Sequence, residues 1–259
     1  MKLKHAIHRL DELFRDRDSR AGILARELAR EPKPGDAKLA ELLCNERRSE
    51  TRMDGSVNGS VVRTAWAAWE MMDLGLDALN GGLDRLLSWL LPRIEAGEVH
   101  EEPMPLALPN GVVMRGAGDA ALAVRCLGLK TLLRARRDGR PGVAEQLAGV
   151  ARLEPASPNL AACVLGVVAV APAPVHDRAE AFVEEARRAQ GSDGSWAGAD
   201  LFNMLEALLL AGIEPARALI AKAAPALLDL QRDDGSFDSP PHEERALIGL
   251  RALHVALEA

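Results

Sequence analysis

Gln190-Gly-Ser-Asp-Gly-Ser-Trp196 and Gln231-Arg-Asp-Asp-Gly-Ser-Phe237 are two copies of one turn, 41 positions apart. The chain around them repeats in step. Pro158-Asn-Leu-Ala-Ala-Cys-Val-Leu-Gly-Val-Val-Ala-Val170 begins 41 positions before Ala199-Asp-Leu-Phe-Asn-Met-Leu-Glu-Ala-Leu-Leu-Leu210. Each is an apolar run closed by a proline-containing break, at 172–174 and 212–215, and each then leads into an alanine-rich segment ending at Gln190 or Gln231. The unit is helix, short break, helix, Asp-Gly-Ser turn. A fixed period of this length marks a repeat architecture. In such a turn Gly ends one helix and Ser or Asp caps the next.

The repeat extends toward the N-terminus. A step of 40 from Asn159 reaches Asp119, which heads the apolar run Ala120–Leu133; Pro141 opens a partner helix over 141–153. Met53-Asp-Gly-Ser56 repeats the turn, and Asn58 precedes a helix carrying Trp66 and Trp69. The last unit starts at His242. Before residue 50, amphipathic stretches at 2–15, 19–31 and 36–47 lack the turn. With 59–76, 82–96, 117–137, 141–153, 158–171, 176–190, 199–212, 215–231 and 241–258, the pattern predicts twelve helices in six hairpins. No strand is expected. Asn110-Gly111 is a hairpin-type turn, but its apolar flanks are short and broken by Pro105 and Pro109.

The first helix of each late pair is apolar nearly all round, and the second is amphipathic, with Arg178, Glu184, Arg187, Arg188, Arg217 and Lys222. A helix that is apolar all round must be covered on all sides. An inner ring of apolar helices within an outer amphipathic ring meets that need. The expected fold is therefore all-α, an α/α toroid of about six helical hairpins. It spans 1–259 as a single domain, with 1–52 as an atypical N-terminal cap and 53–259 as the repeat region.

Charge and cysteine content limit the partners. The 259 residues carry 32 Lys and Arg against 38 Asp and Glu, a net charge of −6, which disfavours nucleic acid as a partner. Cys44, Cys126 and Cys163 are odd in number and far apart, as suits buried thiols in a reducing cytoplasm. Met1-Lys-Leu-Lys-His5 has no apolar core of a signal peptide, and the apolar run 160–171 is too short to span a bilayer. A cytoplasmic protein with no transmembrane segment is expected. Asp73 and Asp77 flank Gly75, which suggests a helix end with solvated carboxylates. Arg134, Arg136, Arg137 and Arg140 follow a helix, where they complement its C-terminal dipole.

The Gln…Asp-Gly-Ser-aromatic turn resembles the repeat of squalene–hopene cyclase-like terpene cyclases and protein prenyltransferase β-subunits. The resemblance covers 190–237 well, 53–57 in part, and 110–160 through helix spacing alone. It implies structural roles for Gln190, Trp196, Gln231 and Phe237. It also implies a central cavity faced by the starts of the inner helices. The matching positions are Asn58, Asp119, Asn159, Asp200 and His242, short polar residues that serve equally as helix caps. On this resemblance Asp119, Asp200 and His242 are the catalytic candidates, and Asn58, Trp66, Asn159, Cys163 and Asn203 line the cavity.

The family's catalytic signatures are incomplete. The cyclase acid Asp-x-Asp-Asp reads Asp119-Ala-Ala-Leu122 here, with one carboxylate. Aromatic faces that hold carbocations are scarce, with four Trp, four Phe and no Tyr. The prenyltransferase zinc set of Asp-x-Cys plus His becomes Asp200-Leu-Phe202 with His242, without its thiolate, so neither zinc nor another cofactor is expected. The resemblance implies an apolar, isoprenoid-like ligand that is bound or processed. A non-catalytic toroid for a ligand or peptide, or a scaffold for a protein partner, is the alternative.

Overall fold

The structure is a computed structural model that describes residues 2–97, 102–240 and 242–259. It is all-α apart from one small hairpin. The helices are α1 (Lys2–Arg15), α2 (Arg20–Leu28), α3 (Asp36–Glu50), α4 (Val61–Asp73), α5 (Gly81–Glu95), α6 (Ala117–Arg134), α7 (Pro141–Ala151), α8 (Pro158–Val170), α9 (Ala179–Ala189), α10 (Leu201–Ala211), α11 (Glu214–Leu230) and α12 (Glu243–Glu258). Their starts follow from the capping residues. The side chains of Ser19, Ser60, Asn80, Ser157 and Asp200 each accept a bond from a backbone N–H in the first turn of the helix that follows. No described helix is long and apolar enough to cross a membrane.

Packing follows the apolar periodicity. Among the even-numbered helices, α4 touches α6, α6 touches α8, α8 touches α10, and α10 touches α12; α2 touches both α12 and α4. The odd-numbered helices lie against this set, α5 on α4, α7 on α5, α9 on α8 and α11, and α1 on α11 and α12. The α8 and α10 faces are almost wholly buried, from Leu160 to Ala169 and from Leu201 to Ala211, as their lack of charged residues other than Glu206 requires.

The repeated turns join neighbouring odd-numbered helices. Gln190 ends α9, and its Nε2 donates to the carbonyls of Gly194 (2.9 Å) and of Leu219 on α11 (3.0 Å). The Trp196 Nε1 donates back to the Ala186 carbonyl on α9 at 2.8 Å. Gly194 has φ +87°, and any Cβ there would strike the Lys222 carbonyl, so only glycine lets the turn sit this close to α11.

The second copy docks on the first helix of the chain. Gln231 Nε2 donates to the carbonyls of Ala6 on α1 (3.0 Å) and Gly235 (3.2 Å), and Arg9 Nη2 donates to Gln231 Oε1 at 2.5 Å. Residues 1–52, read from sequence as an atypical cap, thus supply the helix that receives the last turn.

One expectation fails. Strands Leu106–Ala107 (β1) and Val113–Met114 (β2) pair antiparallel, Leu106 opposite Met114 and Ala107 opposite Val113. Pro109 does not break this hairpin because it lies in the turn, where its fixed φ suits the second position and no N–H is called for. The turn closes through the Gly111 N–H to the Leu108 carbonyl at 2.9 Å. Leu106, Leu108, Asn110, Val112 and Met114 are buried while Ala107 and Val113 are exposed. That period-2 alternation is visible in the sequence.

Candidate binding site

The even-numbered helices leave a narrow space between them. Trp66 of α4, Ala123, Cys126, Leu127 and Lys130 of α6, Ala162, Cys163 and Gly166 of α8, Asn203, Glu206, Ala207 and Leu210 of α10, and Glu244 of α12 line a cavity of about 40 Å³. Leu108, Pro109 and Asn110 of the hairpin close one side. Small residues (Ala123, Ala162, Gly166, Ala207) keep the space open. The walls are largely apolar, but Lys130, Glu206 and Glu244 are not.

The hairpin is tied to the walls by a polar cluster. Asn110 Nδ2 donates to Asn203 Oδ1 (3.1 Å) and to Glu206 Oε2 (2.8 Å). Lys130 Nζ pairs with Glu206 Oε1 at 2.6 Å. Asn203 Nδ2 donates to the Asn159 carbonyl at 2.9 Å, and Asn159 Oδ1 accepts the Asp200 N–H at 2.8 Å. From α12, Arg245 Nε donates to the Asn110 carbonyl (3.1 Å) and Nη2 to the Gly111 carbonyl (3.3 Å). The same guanidinium pairs with Asp200 at 2.5 Å and Asp238 at 3.2 Å. The Asn110 side chain and the carbonyls of Asn110 and Gly111 therefore each have a partner.

Beyond Trp66 the space widens toward α2 and α3. Arg20, only 7% exposed, pairs with Asp73 and with Glu244 and lies 4.8 Å from the centre of the Trp66 ring. Arg47 pairs with Glu70 at 2.6 Å, and Arg134 with Asp73 at 2.7 Å. Burial raises the Glu70 pKa, and Arg47 and Arg20 oppose that rise. Asp73 is thus no solvated helix-end carboxylate: α2 covers it and brings Arg20 to it. The arginine cluster after α6 is divided among separate carboxylates, Arg134 with Asp73, Arg137 with Asp84 and Arg140 with Glu95.

The sequence-derived site residues divide into two groups. Trp66, Cys163 and Asn203 line the space, and Asn159 and Asp200 brace it through Asn203 and Arg245. His242 stands at the start of α12 against Gly111, lining the wider region with Glu243 and Glu244; its Nδ1 is buried without a partner. Burial and the neighbouring Arg245 lower its pKa. Burial pushes the Cys163 thiol up to about 11, so it is a neutral wall group and not a nucleophile.

Asn58 and Asp119 are not brought to this site. Asn58 is exposed in a turn with φ +55°, and the cap of α4 is Ser60. Asp119 lies in the first turn of α6, and neither Asp200 nor His242 meets it. The reason is register. The lining residues Cys126, Leu127 and Lys130 of α6 match Ala162, Cys163 and Gly166 of α8 at a spacing of 36, whereas Asp119 was aligned with Asn159 at 40. The helix α6 begins about one turn earlier, and Asp119 lies on that extra turn.

Local pattern does not mark Lys130, Glu206, Arg20 or Arg245 as site residues, and it marks Asn110 only as part of a turn. A signal exists for Glu206, the one charge in the otherwise apolar α10, since a buried charge demands a partner. Compared with protein-family models, with curated proteins and with solved structures, the chain matches none.

Proposed function

We propose that this chain is a closed α/α toroid, built like the terpene cyclases and prenyltransferase β-subunits, that binds a small, largely apolar ligand in its central cavity. The observation that carries this is the cavity between α4, α6, α8, α10 and α12, kept open by Ala123, Ala162, Gly166 and Ala207, together with the region of about 400 Å³ beside α12 that shares Glu206, Leu210 and Glu244 with it. The wider region has the size of a small-molecule site. The toroid reading draws support from the chain of contacts along the even-numbered helices that returns from α12 to α2.

Binding is favoured over isoprenoid catalysis by the state of the groups that catalysis would use. Asp200 caps α10 and is paired with Arg245, and Asp119 lies elsewhere. The aromatic faces that could hold a carbocation already carry protein cations: Arg20 at Trp66, and Lys130 and Arg134 at Trp69.

The test is Gly166→Leu. A Cβ at Gly166 would meet only ordinary contacts, at 3.7 Å from Lys130 and 3.9 Å from Leu210, so a larger side chain enters the space from a position with room for its first carbon. The unmodified protein should bind decanol, measured by calorimetry, and the variant should bind it at least 10-fold more weakly. Equal binding by both, or none by the unmodified protein, sinks the proposal.

A further inference from the structure

The charged groups packed around the central space are paired with one another, and Arg251 stands apart from them. Arg20, Arg47, Lys130 and Arg251 line the space and the two regions that open from it, and Arg134 and Asp73 lie behind Arg20. The carboxylates closest to these cations are engaged. Glu70 pairs with Arg47 and lies near Arg20, Asp73 pairs with Arg20 and Arg134, Glu206 pairs with Lys130, and Glu244 pairs with Arg20. Among the described residues, no carboxylate comes within ion-pairing distance of Arg251.

Arg251 lies on α12 at the far end of the space from the hairpin. It lines a widening of about 400 Å³ that shares Glu206, Leu210 and Glu244 with the central space. Leu28, Leu209, Leu210, Ile248 and Val255 form apolar walls there, with Trp69 beside them. His254 also lines it, and its Nε2 is buried without a partner. The remaining carboxylates nearby are at the rim: Glu258 is bound to Arg217 at 2.9 Å, and Glu27 is exposed on α2. Burial lowers the Arg251 pKa, with Asp73, Glu206 and Glu27 opposing and Arg134 reinforcing that effect. Guanidinium stays charged at any pH a protein experiences. A partly buried guanidinium without a carboxylate partner is costly to keep.

We infer that Arg251 is the anchor for the head group of a monoanionic ligand, a carboxylate on an apolar chain, whose tail lies along Leu28, Leu209, Leu210, Ile248 and Val255. The planar guanidinium matches a carboxylate in two parallel hydrogen bonds. One negative charge meets the one lining guanidinium that has no carboxylate at ion-pairing distance. A dianionic head would bring a second negative charge close to Glu206 and Glu244 with no cation left to meet it. This inference rests on the central-cavity reading and specifies its ligand.

The test compares decanoate, decanol and decyl phosphate by calorimetry on the full chain. Decanoate should bind at least 10-fold more tightly than decanol, and decyl phosphate no more tightly than decanoate. Arg251→Gln should reduce decanoate affinity to that of decanol and leave decanol unchanged. Arg251→Leu should raise the melting temperature, because it removes an unpaired, partly buried charge; a purely structural arginine would move it the other way. Should either variant fail to fold, the ratio of decanoate to decanol on the unmodified protein still decides. Equal affinity for decanoate and decanol overturns the inference while leaving the cavity reading standing. Tighter binding of decyl phosphate overturns the single-charge assignment. If none of the three binds, both fall.

Discussion

The turns 190–196 and 231–237 share a sequence pattern but hold different things together. The first joins α9 to α11, two helices separated by the single helix α10. The second joins α11 to α1, across a separation of more than 220 residues. In the first, the aromatic side chain turns back: Trp196 is bonded to α9. In the second it turns inward, where Phe237 packs against Gly249 of α12 and lies 5.0 Å from the Phe202 ring of α10. The glutamines match more closely, each bonded to its own turn and to the next odd-numbered helix, but Gln231 also accepts from Arg9. The lesson is that glutamine and glycine carry the docking, and the aromatic is free to serve whichever neighbour is nearest.

Substitution of the glycines should break the comparison most sharply. Gly194→Ala meets both the left-handed φ of +87° and the backbone of α11, which is held on both sides by α9 and α12. We expect a loss of about 2–5 kcal/mol, from conformational strain together with overpacking. Gly235→Ala has a similar φ, +84°, but its Cβ meets the Arg9 carbonyl on α1, a terminal helix able to shift. The expected loss there is about 1–2 kcal/mol, mostly conformational. Urea denaturation of both variants measures the difference, and equal losses would mean that α1 is seated as firmly as α11.

The glutamines come next. Gln190→Ala leaves the carbonyls of Gly194 and Leu219 without their donor in a buried setting, an expected loss of about 1–3 kcal/mol. Gln231 is half-buried, so water can replace its bonds, and Gln231→Ala should lose only about 0.5–1.5 kcal/mol. The same denaturation assay ranks them. Trp196→Phe removes one hydrogen bond to Ala186 and keeps a ring in place, an effect of about 1 kcal/mol. If Trp196→Phe is as damaging as Gln190→Ala, the aromatic carries more of the turn than its contacts suggest.

The smallest expected difference is in pH response, set by the residues that follow each turn. Asp200 caps α10 through its carboxylate, whereas His242 starts α12 with no side-chain capping bond. His242 has its pKa lowered by burial and by Arg245. The unfolded chain therefore takes up a proton at His242 before the folded one does. Stability is highest above the unfolded value of 6.5 and declines as pH falls below it toward the folded value. Melting temperatures of the unmodified protein and His242→Gln, compared between pH 7.5 and 5.5, should diverge in this direction. A pH response unchanged by His242→Gln would remove the histidine from the account.

The helices were legible in the sequence because apolar periodicity and capping residues are local signals. All twelve fall where the spacing puts them, within a few residues. The site was legible only where the repeat kept its phase. Asn159 and Asn203 meet because α8 and α10 share one register, while Asp119 was misread because α6 is one turn longer at its start. The hairpin escapes a local reading because Pro105 and Pro109 read as strand breakers, although Leu106, Leu108, Val112 and Met114 alternate with the residues between them. Arg20 and Arg251 could not be found by local pattern, since their partners, or the lack of them, depend on which helices meet.

The seat of the last turn on α1 also governs how the molecule comes apart. Hairpin arrays that end openly can fray from their terminal units, because each unit contacts only its neighbours. Here Arg9 and Gln231 hold the first and last helical pairs to one another, so neither end can peel away without breaking a contact made over most of the chain's length. Closing so long a loop is entropically slow, and contacts of such separation delay folding. The expected behaviour is late assembly followed by cooperative loss, a chain that opens as a whole or not at all.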